Sequence, residues 1–596
     1  MPPGSENIYP QSFWGTRQTP AANAYLQDPP TRQLVTFFED KGLAALKQED
    51  RDEQWYADWI AYQARHRLYA TVISPKEYSS TGAEFDLLRY ARFLEVFAYC
   101  SPAHGYSLQV TFLGLCAILL GTNAALKREA VAALEAGGLL AFAASEQAHG
   151  SDLLANEFTV REVGDGRLVA GGSKYYIGNA NAASMIVILA RKEGHSASRR
   201  APPGLFALRP AASDGFRDAR KIRTLGVRAA FVGAFEVVDH PLPETDLIAT
   251  GRHAWDAALG AVTLGKFFLG FGSIGICEHA LSEATDHLTG RVLYGKRVID
   301  MPHIRSTVAR AYVRLTAMKL YAYRALDYLH AATDADRRYL LFNAVQKARV
   351  STEGVKVMAL LSECVGARGF EVDTFFEMAL RDAQLIPGLE GSTHINLGLA
   401  AQFIPGYFDR PDDALTEPPS LVAAGSPAGE NPYLMTARAV APETVAFPPY
   451  PRAYEPLMAV PNVRLVAGQA RALRRLAGAR RTALVGGRGA EAVTASAIDL
   501  GKCVSAVAYA QLVAENCVRL AVPAPVVSVI FHLITEDLSA LGLALAAAPG
   551  LGAVGRYLAR RLAVTPRTSE TDWEFVARLA AGDGRAPTVA PSAGGR

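Results

Sequence analysis

Cysteine is scarce in this chain and shows no clustering. Six cysteines, from Cys100 to Cys517, lie far apart among apolar residues in a sequence of 596. This spacing lacks the density of a disulfide framework and the paired ligands of a zinc site. We therefore expect reduced core cysteines in a cytoplasmic protein, and no structural metal.

A strong excess of one charge is also missing. The chain carries 61 basic and 58 acidic residues, a formal net charge of +3, without a long charged tail. Nucleic-acid-binding proteins usually show a basic patch, so nucleic acid is not expected as a partner.

One stretch, residues 464–488, is rich in arginine and lacks acidic residues. A solvated helix face is its simplest interpretation. A phosphate-bearing ligand, an acidic carrier protein or peripheral contact with an anionic membrane stay open for it. Its arginines are Arg464, Arg471, Arg474, Arg475, Arg480, Arg481 and Arg488.

Several common signals are absent. The N-terminus lacks the basic segment and apolar run of a secretory signal, and no Walker loop, Ser-His-Asp order or metal-ligand spacing is found. Residues 96–126 carry no formal charge, but Pro102, Gly105 and Gln109 interrupt them, which favours two buried helices over a membrane span. A Gly-x-Gly-x-x-Gly string at 270–275 lies within a helical run, where small residues allow close helix packing rather than nucleotide binding.

The order of predicted elements indicates an α+β multidomain fold. Helical spacing fills residues 30–136, short runs rich in β-branched and aromatic residues fill 139–238 around a Gly164–Gly166 turn, and helical spacing returns from about 253, continuing across Tyr294 to Ala331. The predicted parts are an N-terminal helical domain (1–136), a middle β-barrel domain (137–245), a second helical bundle (246–405), a proline-rich linker (406–461), an extra C-terminal helical domain (462–581) and a disordered tail (582–596).

The last two hundred residues carry a separate set of predictions. Between Pro405 and Pro461 lie 12 of the 33 prolines, so this segment is expected to cross a surface as an extended linker. Residues 520–535 and 539–555 are two uncharged apolar runs, which we expect to bury against each other or against a second subunit.

One segment collects groups suited to an anionic or carbonyl-rich ligand. The first predicted strand ends in Ser145-Glu146-Gln-Ala-His149-Gly-Ser151-Asp152, where hydroxyls and backbone N–H groups converge at a turn. Such a turn could equally serve only as a set of Asx and Ser caps.

Three further motifs follow this segment along the chain, and the four together allow a more specific interpretation. Together with Lys174-Tyr-Tyr176-Ile-Gly178-Asn179, Arg291-Val-Leu-Tyr-Gly-Lys296, and Arg381-Asp-Ala followed by Leu389-Glu390-Gly391-Ser392, the segment resembles signatures of the acyl-CoA dehydrogenase and acyl-CoA oxidase superfamily. The resemblance covers roughly residues 30–405. The C-terminal addition resembles that of very-long-chain dehydrogenases and oxidases, which by analogy implies a homodimer.

The resemblance implies FAD as cofactor, in a cleft between the β-domain and the second helical domain. Ser145 would bond the flavin ring, and Arg291 would reach the pyrophosphate of a neighbouring subunit. Ser151, Thr263, Lys266 and Gly391 match substrate contacts. The positions implied for the cofactor are Phe142, Ser145, Ser151, Tyr176, Gly178, Arg291, Glu363, Gly366, Ser392 and His394.

The resemblance also implies the chemistry. The α-proton of an acyl thioester is weakly acidic, so its removal needs a carboxylate base, donors for the carbonyl oxygen and a hydride acceptor. Glu390 is the implied base for α,β-dehydrogenation of an acyl-CoA or acyl-carrier-protein substrate in fatty acid metabolism. An electron-transferring flavoprotein is the implied electron acceptor.

Departures from the family pattern leave alternatives open. Gly178 stands where dehydrogenases usually carry a hydroxyl, and oxidases commonly have glycine there, which keeps an oxidase using dioxygen as an alternative. Lys266 replaces an arginine, and so keeps the charge without the bidentate fork. A flavin-binding partner protein that no longer desaturates is a third possibility.

Overall fold

The structure, a computed structural model, describes residues 24–163, 167–192, 203–217, 219–424, 428–436, 438–484, 490–548 and 551–582, without the side chains of residues 24, 25 and 480–497. The predicted turn at Gly164–Gly166, the tail after Gly582, and the side chains of Arg480, Arg481 and Arg488 lie outside the described residues.

Helices form the N-terminal part, as predicted. The uncharged run 96–126 spans the end of one helix and all of the next, and Ser101-Pro102 separates them because proline fits the first turn of a helix. The end of α4 and nearly all of α5 are buried, which explains why the run carries no charge. The helices are α1 (Pro29–Asp52), α2 (Ala57–His66), α3 (Leu68–Ile73), α4 (Leu87–Cys100), α5 (Pro102–Leu119) and α6 (Ala124–Glu135).

An eight-stranded sheet forms the middle domain, and its described pairings run in the order β6-β7-β3-β2-β4-β5-β8, with β1 added in parallel beside β4. Helix α5 packs against β1 closely enough that a Cβ at Gly114 would lie 2.9 Å from the Ala141 carbonyl oxygen. The short strands β6 and β8 were not predicted. The strands are β1 (Leu139–Ala143), β2 (Thr159–Glu162), β3 (Leu168–Gly178), β4 (Ala183–Lys192), β5 (Pro203–Leu208), β6 (Arg220–Lys221), β7 (Val232–Leu242) and β8 (Leu247–Thr250).

A helical layer follows the sheet. Tyr294 lies not in a helix, as its spacing suggested, but at the turn of a two-stranded hairpin, with φ 52° and a 96% exposed side chain. The elements are α7 (Gly251–Gly290), β9 (Val292–Leu293), β10 (Lys296–Arg297), α8 (Pro302–His330), α9 (Tyr339–Val345), a π-helical turn (Gln346–Val350), α10 (Ser351–Val365), α11 (Phe375–Leu385) and α12 (Thr393–Gln402).

The glycine string at 270–275 lies inside α7, which confirms its interpretation as a helix-packing surface. A Cβ at Gly275 would lie 2.0 Å from the Glu95 carbonyl oxygen of α4, and one at Gly270 would lie 2.2 Å from the Gln346 side chain. Larger residues would therefore force α7 away from both neighbours.

The proline-rich segment is not the extended surface linker that its composition predicted. It forms short 3₁₀ and π turns and the helix α13 (Leu421–Ala424), and it buries Tyr407, Leu434 and Phe447 against the helical layers. Large apolar side chains at intervals among the prolines supply enough buried surface to hold the segment in place.

Helices α14 (Pro461–Leu484), α15 (Ala490–Arg519), α16 (Ala524–Ala547), α17 (Ala553–Arg560) and α18 (Glu570–Ala580) complete the chain. The apolar runs 520–535 and 539–555 do not bury against each other as two elements, because most of both belongs to α16, which continues through Glu536 and Asp537. Asp537 accepts a hydrogen bond from Arg314 of α8 at 3.2 Å, and Arg324 of α8 donates to Glu515 of α15 at 2.7 Å. These pairs join the C-terminal helices to the preceding layer.

In the described regions, the cysteines lie in the core and the arginines of the stretch without acidic residues lie on the surface. All six cysteines are free and buried, and Arg464, Arg471, Arg474 and Arg475 are exposed on α14. Helices α7 and α16 are long and apolar enough to cross a membrane, but 72% and 61% of their most apolar windows are buried inside the protein, as in core helices of soluble proteins.

Candidate active site

Glu390 lies in the short loop between α11 and α12. Its φ is 48°, in the left-handed region that residues other than glycine seldom adopt, and Gly391 follows with φ 89°. Local packing must hold such a conformation against its cost, and strained residues of this kind cluster at functional sites. The loop therefore aims one carboxylate inward from the start of α12.

The carboxylate of Glu390 is held against α5 and α7. The Gln109 side-chain amide donates to Glu390 Oε1 at 3.0 Å and to the Gly265 carbonyl oxygen at 2.8 Å. A Cβ at Gly265 would lie 2.6 Å from Glu390 Oε2, so glycine makes room for the carboxylate. Oε2 is buried without a hydrogen-bond partner, although other atoms of the residue are partly accessible. An unpartnered buried carboxylate oxygen is available to accept a proton.

Burial dominates the protonation of this cluster. It raises the pKa of Glu390 to about 7, against the opposing effects of the Gln109 hydrogen bond and the cations of Lys347 and Lys266. Burial likewise lowers the pKa of Lys266 to about 8 and that of Lys347 to about 7, with Glu390 opposing both shifts. A carboxyl with a pKa near neutrality suits a general base.

The rate of any reaction that uses Glu390 as a base should depend on pH. Because only the ionised carboxylate accepts the proton, kcat/KM should fall about tenfold per unit as pH drops from 7 to 5, and level off above 7. Replacing Lys266 by Met removes a cation that favours the ionised form, so the apparent pKa of the profile should rise. Rates measured by rapid mixing from pH 5 to 8 give the profiles of the wild type and of Lys266→Met. A flat profile, or equal apparent pKa values in the two proteins, contradicts this assignment.

A cavity of about 860 Å³ reaches Glu390. Its walls are mostly apolar, from α7, α9, α12 and the proline-rich segment. Of the residues predicted to contact substrate or cofactor, Thr263, Lys266, Gly391 and His394 line this cavity together with Glu390. The structure thus brings these five together, and Ser392 lies beside them in the same loop.

A second group of predicted residues lies on the sheet. Ser145 follows β1 and donates its hydroxyl hydrogen to the Tyr175 carbonyl oxygen at 2.7 Å, which leaves the hydroxyl oxygen as an acceptor. Tyr176 has φ 62° and is 61% exposed, unlike the buried aromatic residues of the core. Phe142 is buried in β1. The ends of β1 and β3 thus present this group at one place on the domain.

Gly178 ends β3 under tight packing. A Cβ there would lie 2.6 Å from Val110 and 2.8 Å from the Tyr106 ring, both on α5. A serine or threonine would force α5 to move. The Tyr106 ring therefore occupies the space that a side chain at position 178 would need. Burial, together with the nearby Glu390 carboxylate, raises the pKa of Tyr106, so its hydroxyl stays neutral and can donate a hydrogen bond.

The remaining predicted residues are spread out. Arg291 at the end of α7, Glu363 and Gly366 at the end of α10, and Ser151 after β1 are exposed and do not line the cavity. Their predicted contacts with cofactor and substrate therefore stay predictions.

Residues of two motifs from the sequence analysis, Arg381-Asp382 and Asn179, connect the elements around the site. Arg381 binds Asp50 of α1 at 2.6 Å, and Asp382 accepts from the Val227 backbone N–H at 2.6 Å, which fixes α11 to the sheet domain just before the Glu390 loop. Asn179 donates to the Ser107 and Leu140 carbonyl oxygens at 2.9 and 3.2 Å, so it joins the end of β3 to α5 and β1.

Ligand atoms of Glu146, His149 and Glu157 lie within 4.8 Å of one another. Glu146 already accepts from Lys174 at 2.9 Å and from the backbone N–H groups of Glu157 and Phe158 at 2.7 and 3.0 Å. The buried lysine supplies the positive charge there, so the group is accounted for as an ion pair.

Sequence reasoning missed Gln109, Tyr106 and Lys347. Gln109 and Tyr106 lie within an uncharged helix, and Lys347 lies in the π-helical turn, where its ammonium donates to the Ile386 carbonyl oxygen at 2.5 Å. A glutamine and a lysine inside apolar helical runs were the available signals, since such groups are seldom buried without a partner.

Fold and site together define a protein with a buried carboxylate at the inner end of a cavity that is lined by helices and by the proline-rich segment. Two family models match: acyl-CoA dehydrogenase, middle domain, over residues 141–239, and acyl-CoA dehydrogenase, C-terminal domain, over residues 253–404. The chain belongs to the acyl-CoA dehydrogenase superfamily, a family of oxidoreductases.

Individual relatives agree with this. An acyl-CoA dehydrogenase of Bacillus subtilis is 24% identical over 379 residues, which are 63% of this chain and 97% of that protein. The structure of an acyl-CoA dehydrogenase complexed with FAD from Bacillus anthracis has a TM-score of 0.68 at 17% identity, over 91% of this chain and 95% of the other. The prolyl acyl carrier protein oxidase AnaB has a TM-score of 0.55 at 20% identity, over 64% of this chain and all of the other.

Proposed function

We propose that the protein catalyses FAD-dependent α,β-dehydrogenation of an acyl thioester, with Glu390 as the base. The observation that carries this proposal is the Glu390 carboxylate: one oxygen is buried without a partner, its pKa is raised to about 7, and it lies at the inner end of a large cavity. These properties suit abstraction of a weakly acidic proton beside a thioester carbonyl.

The residues present fit FAD. Tyr176 is an exposed aromatic ring held in the left-handed region, Ser145 keeps an acceptor oxygen, and the two lie close together at the ends of β3 and β1. Phe142 and Gly178 would complete that surface. When bound, the flavin supplies a hydride acceptor, N5, for the hydrogen at C3 of the substrate.

The protein's own residues perform the other steps. In this proposal Glu390 takes the proton from C2, and its backbone N–H would donate to the thioester carbonyl oxygen. The Gln109 hydrogen bond keeps the carboxylate oriented between α5 and α7. Entry of substrate excludes water from the cavity, which strengthens each of these electrostatic interactions.

An oxidase that passes its electrons to dioxygen is the second candidate. The packing of Gly178 against Tyr106 and Val110 favours it, because no hydroxyl side chain fits at that position. The similarity to AnaB supports the same alternative and an acyl-carrier-protein substrate. Hydrogen peroxide formed in air in step with product would favour the oxidase, and electron transfer only to a flavoprotein acceptor would favour the dehydrogenase.

Anaerobic titration of the FAD-loaded protein with a panel of acyl-CoA and acyl-carrier thioesters tests the proposal. At least one thioester should bleach the flavin absorbance and yield a 2-enoyl product. Flavin binding without bleaching by any thioester would instead support a partner protein that does not desaturate.

We further propose a cytoplasmic homodimer. Arg291 is followed by exposed Val292 and Tyr294, 61% and 96% accessible, on the hairpin after α7. An arginine beside exposed apolar side chains suits a contact with a second subunit. Sedimentation equilibrium should give twice the mass of the chain, and a monomer would rule out the contact.

A further inference from the structure

A buried lysine outside the cavity contacts the loop that carries Glu390. Lys347 lies in the π-helical turn between α9 and α10, and it is 0% exposed. It does not line the cavity and so lies behind the loop rather than in the space open to a ligand. Among the described residues it forms no ion pair, whereas the buried Lys319 binds two carboxylates. Burying an ammonium group without a paired carboxylate costs free energy, which points to a role beyond packing.

The ammonium group of Lys347 holds the turn directly before Glu390. It donates to the Ile386 carbonyl oxygen at 2.5 Å, and the Leu389 backbone N–H donates to the same oxygen at 3.3 Å. Ile386–Gly388 form a 3₁₀ turn, and Glu390 follows Leu389 with φ 48°. A charged donor forms a stronger hydrogen bond than a neutral one. The lysine therefore fixes the turn from which the strained Glu390 backbone starts.

The π-helical turn that carries Lys347 is itself anchored. Arg349 of the same turn donates to Asp537 of α16 and pairs with Glu353 of α10 at 3.2 Å. The turn also packs against α7, which contacts the Glu390 carboxylate, and against α12, which follows the Glu390 loop. Such π-helical turns are rare and are frequent at functional sites. A side chain that starts from an anchored turn can hold the loop in one position.

Charge also connects Lys347 with Glu390. Burial raises the pKa of Glu390, and the Lys347 cation opposes that shift. Burial lowers the pKa of Lys347, and the Glu390 carboxylate opposes that shift, while Lys266 is the second cation that acts on both groups. Because only the ionised carboxylate is a base, a cation that favours ionisation keeps more of Glu390 active near neutral pH.

We propose that Lys347 is a positioning residue for Glu390, which fixes the turn before the base through the Ile386 carbonyl oxygen and balances the charge of the ionised carboxylate. The inference rests on the proposed function and deepens it, because it names a second side chain on which the base depends. Removal of the ammonium group should therefore change both the pKa of Glu390 and the rate at which the fully ionised base works.

The test replaces Lys347 by Met, which removes the charge and the donor, and by Arg, which keeps both. In Lys347→Met the pKa of Glu390 should rise by about one unit or more. The value of kcat at the high-pH plateau should fall about ten- to a hundredfold, because the loop loses its anchor. KM should change little, since Lys347 does not line the cavity. In Lys347→Arg the pKa of Glu390 should stay close to that of the wild type.

Infrared titration of the FAD-loaded protein from pH 5 to 10 measures the pKa of Glu390 without turnover. The protonated carboxyl group of Glu390 is identified as the band that Glu390→Gln lacks. Lys319→Met is the matched control, because it removes another fully buried lysine of the helical layer. It should lower the urea midpoint of unfolding and leave the pKa of Glu390 unchanged.

An unchanged pKa of Glu390 in Lys347→Met, or equal shifts in Lys347→Met and Lys347→Arg, would overturn the proposal. If Lys347→Met is too unstable to purify, adding Glu390→Gln should restore folding, because neither buried charge then lacks its counterpart. Failure of the double variant to fold would show that Lys347 serves packing alone.

The same measurements separate this inference from the proposed function. If no thioester bleaches the wild-type flavin while Lys347→Met still raises the pKa of Glu390, the proposed function is wrong and the interaction of the two side chains stands. If thioesters bleach the flavin and Lys347→Met changes neither kcat nor the pKa of Glu390, the positioning role is wrong and the proposed function stands.

Discussion

Replacing Glu390 by Gln should abolish bleaching of the flavin by acyl thioesters while FAD stays bound. Glutamine has the same size and can still accept the Gln109 hydrogen bond through its amide oxygen, so the loop should keep its shape. It cannot accept a proton from carbon, and a general base contributes about 10²- to 10⁴-fold to rate. We expect the bleaching rate to fall by about 10³-fold or more, measured by anaerobic rapid mixing.

The matched control is Glu371→Gln, an exposed glutamate in the same helical layer. It should bleach at the wild-type rate. Because Glu390→Gln removes the group that titrates near pH 7, its residual rate should also lose the pH dependence expected of the wild type. Bleaching at an undiminished rate would place the base on another residue.

Replacing Lys319, a fully buried lysine, by Met should destabilise the protein much more than replacing a partly exposed lysine. Lys319 of α8 is fully buried and binds Glu95 of α4 at 2.8 Å and Glu278 of α7 at 2.5 Å. Both carboxylates are buried, and Tyr323 donates to Glu95 at 2.8 Å. Removing the cation that both buried carboxylates bind should cost about 3–5 kcal/mol of unfolding free energy.

The shift of the urea unfolding midpoint measures this loss. Lys356→Met is the control, because Lys356 pairs with Glu353 and Asp537 at a partly exposed position and should cost less than about 1 kcal/mol. Adding Glu95→Gln and Glu278→Gln to Lys319→Met should restore part of the stability, since the two buried carboxylates are then replaced by neutral amides. Equal shifts for Lys319→Met and Lys356→Met would contradict a buried network.

The helical, β, helical order was predictable because periodicity changes clearly near residues 139 and 253, and the structure changes there too. The uncharged run at 96–126 and the glycine string in α7 were also interpreted correctly, since proline and small residues act through local sterics. Hairpin β9–β10 was missed because each strand has two residues, too few for a period.

The site was predictable only in part. Motifs singled out Glu390, Lys266 and Thr263, but the Gln109 bond joins residues 281 positions apart, which no local pattern reveals. Leu434 and Val440 line the cavity, which the sequence did not predict because the proline content suggested an extended linker. Burial of Tyr407 and Phe447 instead decides where that segment lies. Tertiary packing overrode composition at this point.

The most direct test of the account is the position of Glu390 in a crystal structure of the protein with FAD and an unreactive thioether analogue of an acyl-CoA. A Glu390 carboxylate oxygen should lie within about 3.5 Å of the carbon that corresponds to C2, with that carbon between the carboxylate and the flavin ring. A carboxylate directed to bulk solvent, or a flavin bound away from the ends of β1 and β3, would contradict it.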